Sequence, residues 1–322
     1  MTTPDSATSP QVSAGSATAA APRRPGSLGP VGLVLAGGVS VQFGGALAVT
    51  LMPRAGALGV VALRLLVAAA VLLVVCRPRL RGHSRADWGT VVVFGVVMAA
   101  MNGLFYQALD RIPLGLAVTL EVLGPLALSV VASRRALNLV WAGLALAGVY
   151  LLSGGGGGGG GEGGGGAGFG ELDLVGVAFA LGAGAMWAAY IVFSARTGRR
   201  FPQADGLALA MAVGALVFLP LGIAEAGTKL LDPVTLGLGA AVAVLSSVLP
   251  YTLELLALRR LPASTFAILM SLEPALAAAA GFLILDQSLT ATEAAAIVLV
   301  ITASMGAVRA QVRRGRGAVP EA

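Results

Sequence analysis

Four ionisable side chains stand inside stretches that otherwise exclude charge: Arg64, Glu121, Glu254 and Glu273. A charge near the middle of a bilayer costs about 2.5–3.5 kcal/mol on insertion scales, so such residues face a bundle interior or a water-filled cavity. Glu254 and Glu273 belong to residues 246–286, SSVLPYTLELLALRRLPASTFAILMSLEPALAAAAGFLILD, where two apolar runs flank the turn Arg259-Arg260-Leu261-Pro262. Pro250 and Pro274 interrupt those runs, and broken helices at membrane depth line substrate paths. This stretch reads as a helical hairpin at the heart of a transport path.

Each charged residue has a functional and a bland expectation. A carrier that exchanges protons needs a carboxylate that is alternately wet and buried, because burial favours the neutral form of a carboxyl. Glu254 lies three residues after Tyr251, on one helix face with it, and suits that role; the alternative is a structural ion pair or hydrogen bond. Glu273 precedes Pro274, whose ring frees a carbonyl one turn back. It either meets a substrate ammonium or a proton, or hydrogen-bonds locally to steady the kink. Glu121, four residues before Pro125, has the same two fates. Arg64 binds a substrate carboxylate, neutralises a glutamate, or snorkels to the nearer membrane surface.

The remaining candidates are uncharged. Asn102 and Tyr106 are one turn apart and share a face. Trp187 and Tyr190 lie too far into an apolar run for an interfacial anchor to be favoured, and with Gln42 their aromatic and amide groups suit the apolar and polar sides of a small zwitterion. For Gln42 the alternative is an interhelical hydrogen bond, and the many glycines most simply permit close helix packing.

The elements that must position these residues are transmembrane helices. Of 322 residues, 57% are hydrophobic and 11% charged, and the mean hydropathy is +0.89. Apolar runs recur near the 20 residues that a helix needs to span a bilayer. Ten spans are expected, at roughly 28–52, 56–76, 88–108, 112–133, 136–153, 171–195, 204–225, 233–256, 261–285 and 290–309. With the N-terminus inside, 17 of the 21 basic residues fall in cytoplasmic segments, which explains the +6 charge as a topology signal rather than a nucleic-acid footprint. The single Cys76 excludes a disulfide framework. The single His83 argues against a His-based triad or zinc site, so no enzyme activity, cofactor or metal is expected.

Residues 1–27 read as a disordered cytoplasmic tail, 154–170 as a Gly-rich external linker and 310–322 as a basic cytoplasmic tail. The linker lacks the Lys-Ser/Thr of a phosphate loop. It joins two five-span halves, 28–153 and 171–309. Residues 108–125, ALDRIPLGLAVTLEVLGP, align with 257–274, ALRRLPASTFAILMSLEP, at a constant offset of 149 with seven identities. Five spans per half would give the second half the opposite orientation. Inverted repeats of this kind place substrate between the halves and support alternating access. The expected fold is therefore all-α, integral to the membrane, with ten helices as two inverted five-helix repeats.

The block PYTLELLALRRLPASTFAILMSLEPALAAAAGFLIL, with LRLL of span two and YQALDRIPLGLAVTLEVLGPL of spans three and four, resembles EamA-type carriers of the drug/metabolite transporter superfamily. Within them it is most similar to the threonine/homoserine exporters. The resemblance covers about residues 28–309; the polyglycine insertion and long N-terminal tail depart from the pattern. It implies efflux of small neutral amino acids across a bacterial inner membrane by proton exchange, with amino acid, protons and lipid as partners. Another metabolite or a cationic drug is the alternative substrate, and a passive channel or non-transporting membrane protein the alternative class.

Overall fold

The computed structural model describes residues 28–133, 136–152, 173–201, 205–258, 260–261 and 263–317. The expected tail at 1–27, residues 318–322 of the basic tail expected at 310–322, the glycine linker, and Arg134, Arg135 and Arg259 lie outside the described residues; residues 310–317 of that expected tail continue the last helix. Among the described residues the regular structure is helical throughout, with no strand. The α-helices are α1 Leu28–Cys76, α2 Arg85–Leu109, α3 Leu114–Glu121, α4 Leu123–Ser133, α5 Ala136–Leu152, α6 Leu174–Gly198, α7 Asp205–Ala226, α8 Pro233–Ala243, α9 Leu249–Leu258, α10 Ala263–Met270, α11 Glu273–Leu285 and α12 Ala291–Gly317.

Among the described residues eight helical stretches are long and apolar enough to cross a membrane. The first is α1, whose 49 residues would reach about 74 Å if straight, over twice a hydrocarbon core. It breaks at Gly56, where φ of 67° and ψ of 168° are available to glycine and strained for other residues. The second arm then starts with unpaired amides, and Glu225 from α7 caps them, accepting from Leu58 N at 2.7 Å and Gly59 N at 3.0 Å. Local sequence sets other boundaries. Ser84 and Asp87 form a reciprocal capping box on α2. Asp232 caps α8 ahead of Pro233, and Asp173 caps α6.

Two apolar stretches are interrupted at matching places. The eight-residue helices α3 and α10 start 149 residues apart, at Leu114 and Ala263, and end 149 apart, at Glu121 and Met270. Pro125 and Pro274 follow at the same offset, each withholding an amide from the turn before it. A third interruption is the π-helical turn Val244–Val248 between α8 and α9.

Packing around these breaks builds one bundle. The α1 arms lie against α7, α8, α9 and α11; α2 lies against α6 and α7; α3 meets α11, and α5 pairs with α12. Glycines permit the closest crossings. Gly184 of α6 faces the Glu121 carbonyl and Gly124, backbone to backbone, while Gly44 of α1 faces Ser246. The main core joins Leu51, Val60, Phe94, Met98, Leu114 and Met211. Large apolar side chains such as Leu216, Phe282 and Val298 point outward, as lipid contact requires.

Candidate functional site

The site starts with a backbone defect. Pro250 has no N–H, so the Ser246 carbonyl four residues back loses its helical donor. The π-turn frees a second carbonyl, since Leu249 N–H donates to Val244 instead of Leu245. Side chains from α1 take both. Ser40 Oγ donates to the Leu245 carbonyl at 2.6 Å, and Arg64 Nη2 donates to the Ser246 carbonyl at 3.3 Å.

Arg64 is held on its other edges too. Its Nε donates to Ser247 Oγ at 3.2 Å, and Nη1 donates to Asn102 Oδ1 at 2.6 Å and Tyr106 Oη at 3.3 Å. Asn102 is oriented by donating its own Nδ2 to the Met98 carbonyl at 2.8 Å. Tyr106 also presents its ring 5.5 Å from the guanidinium carbon. These contacts overturn one expectation for Arg64: it does not snorkel to a membrane surface. Among the described residues no carboxylate lies within 4 Å of it, and its charge acts on Glu121 at longer range. The physical reason is the supply of uncharged acceptors inside the bundle, two from α2 and two from the π-turn, which match the planar fork of a guanidinium.

Arg64 opens on a cavity of about 740 Å³. Gln42, Arg64, Asn102, Tyr106, Glu121, Trp187, Tyr190, Glu254 and Glu273 all border it. The backbone of Tyr251 lies in α9, and its side chain is outside the described residues. Glu121 interacts electrostatically with both Arg64 and Glu273, and Glu273 with Glu254, so the four charges form one cluster. Among the described residues none of the three carboxylates makes a hydrogen bond or ion pair. Glu273 is nonetheless buried, 8% exposed. Among the described residues, neither the local bond that is one alternative for Glu273 nor the ion pair or hydrogen bond that is one alternative for Glu254 is present. Buried carboxylates without protein partners suit groups that await a proton or a ligand cation.

The model of the EamA-like transporter family matches residues 174–309. The threonine/homoserine exporter RhtA of Escherichia coli K12 is 40% identical over 277 residues, covering 86% of this chain and 90% of its own. The protein of the same name from Salmonella typhimurium LT2 has the same identity and coverage. The chain belongs to the EamA-like transporter family. The uncharacterized transporter YwfM of Bacillus subtilis is 26% identical over 249 residues, 74% of this chain and 80% of its own. A solved crystal structure with 19% identity superposes with a TM-score of 0.56, covering 90% of this chain and 99% of that one, and shares the fold.

In this EamA-like transporter, a multi-pass membrane protein, the family match runs from α6 into α12 and so includes Glu254, Glu273 and the Pro250 break. Reasoning from sequence missed Ser40, Ser246 and Ser247. For Ser246 a signal existed, because a residue four places before a proline has a carbonyl in search of a donor. Ser40 gives none. Gln107, next to Tyr106 on α2, does not border the cavity and accepts from Arg111 Nη1 at 2.9 Å on the exposed α2–α3 turn.

Proposed function

We propose that this EamA-like transporter exports small neutral amino acids of the threonine or homoserine kind from a bacterial cytoplasm, by proton antiport and alternating access. The observation that carries the reading is the cavity's charge pattern: one guanidinium faces three carboxylates at membrane depth. A zwitterion needs both signs, the guanidinium for its carboxylate and a glutamate for its ammonium. Spare carboxylates then remain to bind the proton that returns. The names of the RhtA relatives support the substrate class.

Ten spans in two inverted halves would supply the moving parts. The two arms of α1 and the 17-residue α5 support that count, alongside the other apolar stretches. The matched lengths and offsets of α3 and α10 support the repeat. Lining residues Ser129, Ile191, Phe266 and Val308 extend the cavity towards the helix ends that bear arginines, the expected cytoplasmic face. At the opposite end Gly115 packs directly on Ala278, and Leu114 N–H donates to Gln287 Oε1 at 3.1 Å. Such a shape fits one state of an alternating cycle, open inward and closed outward. Inner-membrane location with both termini cytoplasmic follows from this reading.

The test is efflux from proteoliposomes. Purified protein is expected to release preloaded radiolabelled threonine or homoserine faster under an imposed pH gradient, with competition by unlabelled substrate. Absence of gradient-stimulated flux from folded protein would refute proton antiport of these amino acids. A second reading, export of a cationic drug-like molecule, is favoured by the excess of carboxylates and by Phe105, Trp187 and Tyr190 on the wall. Competition by an organic cation and not by threonine would select it.

A further inference from the structure

Among the buried hydroxyls bordering the cavity, those of Ser246 and Ser271 are satisfied by the protein and that of Ser304 on α12 is not. Asn102 donates to Met98, Ser246 Oγ to the Val242 carbonyl at 2.6 Å, and Ser271 Oγ to the Ala267 carbonyl at 3.0 Å. Ser304 is as buried as these, 7% exposed, and borders the cavity on the same helix face as Ala307 and Val308. Its hydroxyl has no hydrogen-bond partner. Serine and threonine in a helix usually donate to the carbonyl four residues back, as Thr302 does to Val298 at 2.7 Å. Ser304 leaves that bond unmade, and a buried hydroxyl without a partner marks a place where a partner is due.

We propose that Ser304 recognises the side-chain hydroxyl of the transported amino acid, an inference that rests on the export reading above. Arg64 and a glutamate take the carboxylate and the ammonium, and Ser304 supplies a third point that sees only the side chain. A hydroxyl can both donate to Ser304 and accept from it. A methyl in that place would leave the serine unpaired and desolvated, which is how a polar site rejects an apolar analogue. One neutral hydrogen bond of this kind is worth about a three- to tenfold preference. Ser304 thus determines specificity for hydroxylated over deoxy substrates without driving transport itself.

The experiment compares radiolabelled threonine with 2-aminobutyrate, its deoxy analogue, in proteoliposomes of the full chain. Wild-type protein is expected to favour threonine about three- to tenfold in kcat/KM. Ser304→Ala should abolish that preference by losing on threonine and not on 2-aminobutyrate, whose retained or raised flux also reports that the variant is folded. Ser304→Thr, which keeps a hydroxyl, should retain the preference. A preference that survives in Ser304→Ala, or equal losses on both substrates, would overturn the inference and leave the export reading standing. Wild-type flux of both without preference would do the same. No flux of either amino acid through wild-type protein would overturn the export reading and the role of Ser304 together.

Discussion

Replacing Pro250 by alanine separates stability from transport in a way that the geometry of Arg64 specifies. An interior proline costs a helix about 3 kcal/mol relative to alanine. The variant regains an amide able to reach the Ser246 carbonyl, which Arg64 Nη2 holds at 3.3 Å. That displaces a hydrogen bond from a charged donor, worth about 1.5–3 kcal/mol. The net gain is therefore between about 0 and 1.5 kcal/mol, and the melting temperature in detergent should rise by under about 4 °C. Transport should move the other way. With one of four acceptors gone, the guanidinium is aimed less firmly into the cavity, and KM for threonine should rise about three- to tenfold with a smaller change in maximal rate. Arg64→Lys, which cannot span the π-turn and α2 together, should also raise KM. Its effect and that of Pro250→Ala should be less than additive, because both act on one contact. A gain of the full 3 kcal/mol with wild-type KM would refute the reasoning, since it would mean that Arg64 does not use the freed carbonyl.

Three further outcomes are expected. Glu254→Gln should abolish flux driven by a pH gradient while leaving the protein folded and competent for threonine–threonine exchange; wild-type pH dependence would remove Glu254 from the proton path. Gly124→Ala should lower the melting temperature by the upper end of an overpacking cost of about 1–3 kcal/mol, because its new Cβ would fall on the Gly184 backbone carbonyl. Gly143→Ala on α5, where a Cβ meets nothing within 4 Å, is the control, and equal melting of the two variants would contradict the crossing. At the start of α8, the Thr235 amide donating to Asp232 holds that carboxyl below its ordinary range. A depressed value gives stability that is present above the unfolded value near 3.9 and is lost as pH falls through the folded one. Between pH 7 and pH 3 wild-type protein should therefore lose more melting temperature than Asp232→Asn, and identical losses would refute the cap.

The candidate site was legible in the sequence where one residue's chemistry conflicts with its surroundings, and illegible where two residues had to be brought together. Glu121, Glu254 and Glu273 are legible because a carboxylate in an apolar run has few places to go. Pro125 and Pro274 announce breaks, and the 149-residue offset places them in register. Arg64 was left with three fates because the choice among them depends on α2 and the π-turn, 38 and more than 180 residues away in sequence. No residue pattern announces the π-turn itself; only Pro250 hints that carbonyls there need new donors. Ser304 was illegible for the opposite reason. A serine in a membrane helix ordinarily satisfies itself, and only in the folded bundle is it apparent that this one does not.

The uneven charge of two similar breaks has a packing cause. Glu121 ends α3 where Met270 ends α10, and Glu273 opens α11 where the aligned residue is Gly124. A glutamate at 124 is impossible in this bundle, because α6 crosses there so closely that any Cβ would meet the Gly184 carbonyl. Near its start α11 crosses the first arm of α1 through a side chain, with Gly38 facing the Leu276 methyl, and its close backbone crossing, Gly115 of α3 on Ala278, comes more than a turn later. That looser crossing leaves room for Glu273. The close crossing at Gly184 presses on the backbone of Glu121 while its side chain borders the cavity, so the first break presents its carboxylate from the last residue before the kink. The two carboxylates therefore approach the cavity from different sides of their breaks, opposite a guanidinium that only one end of the site possesses. A scaffold with matched interruptions thereby acquires a polar axis, which a zwitterion with distinguishable ends requires of its binding site.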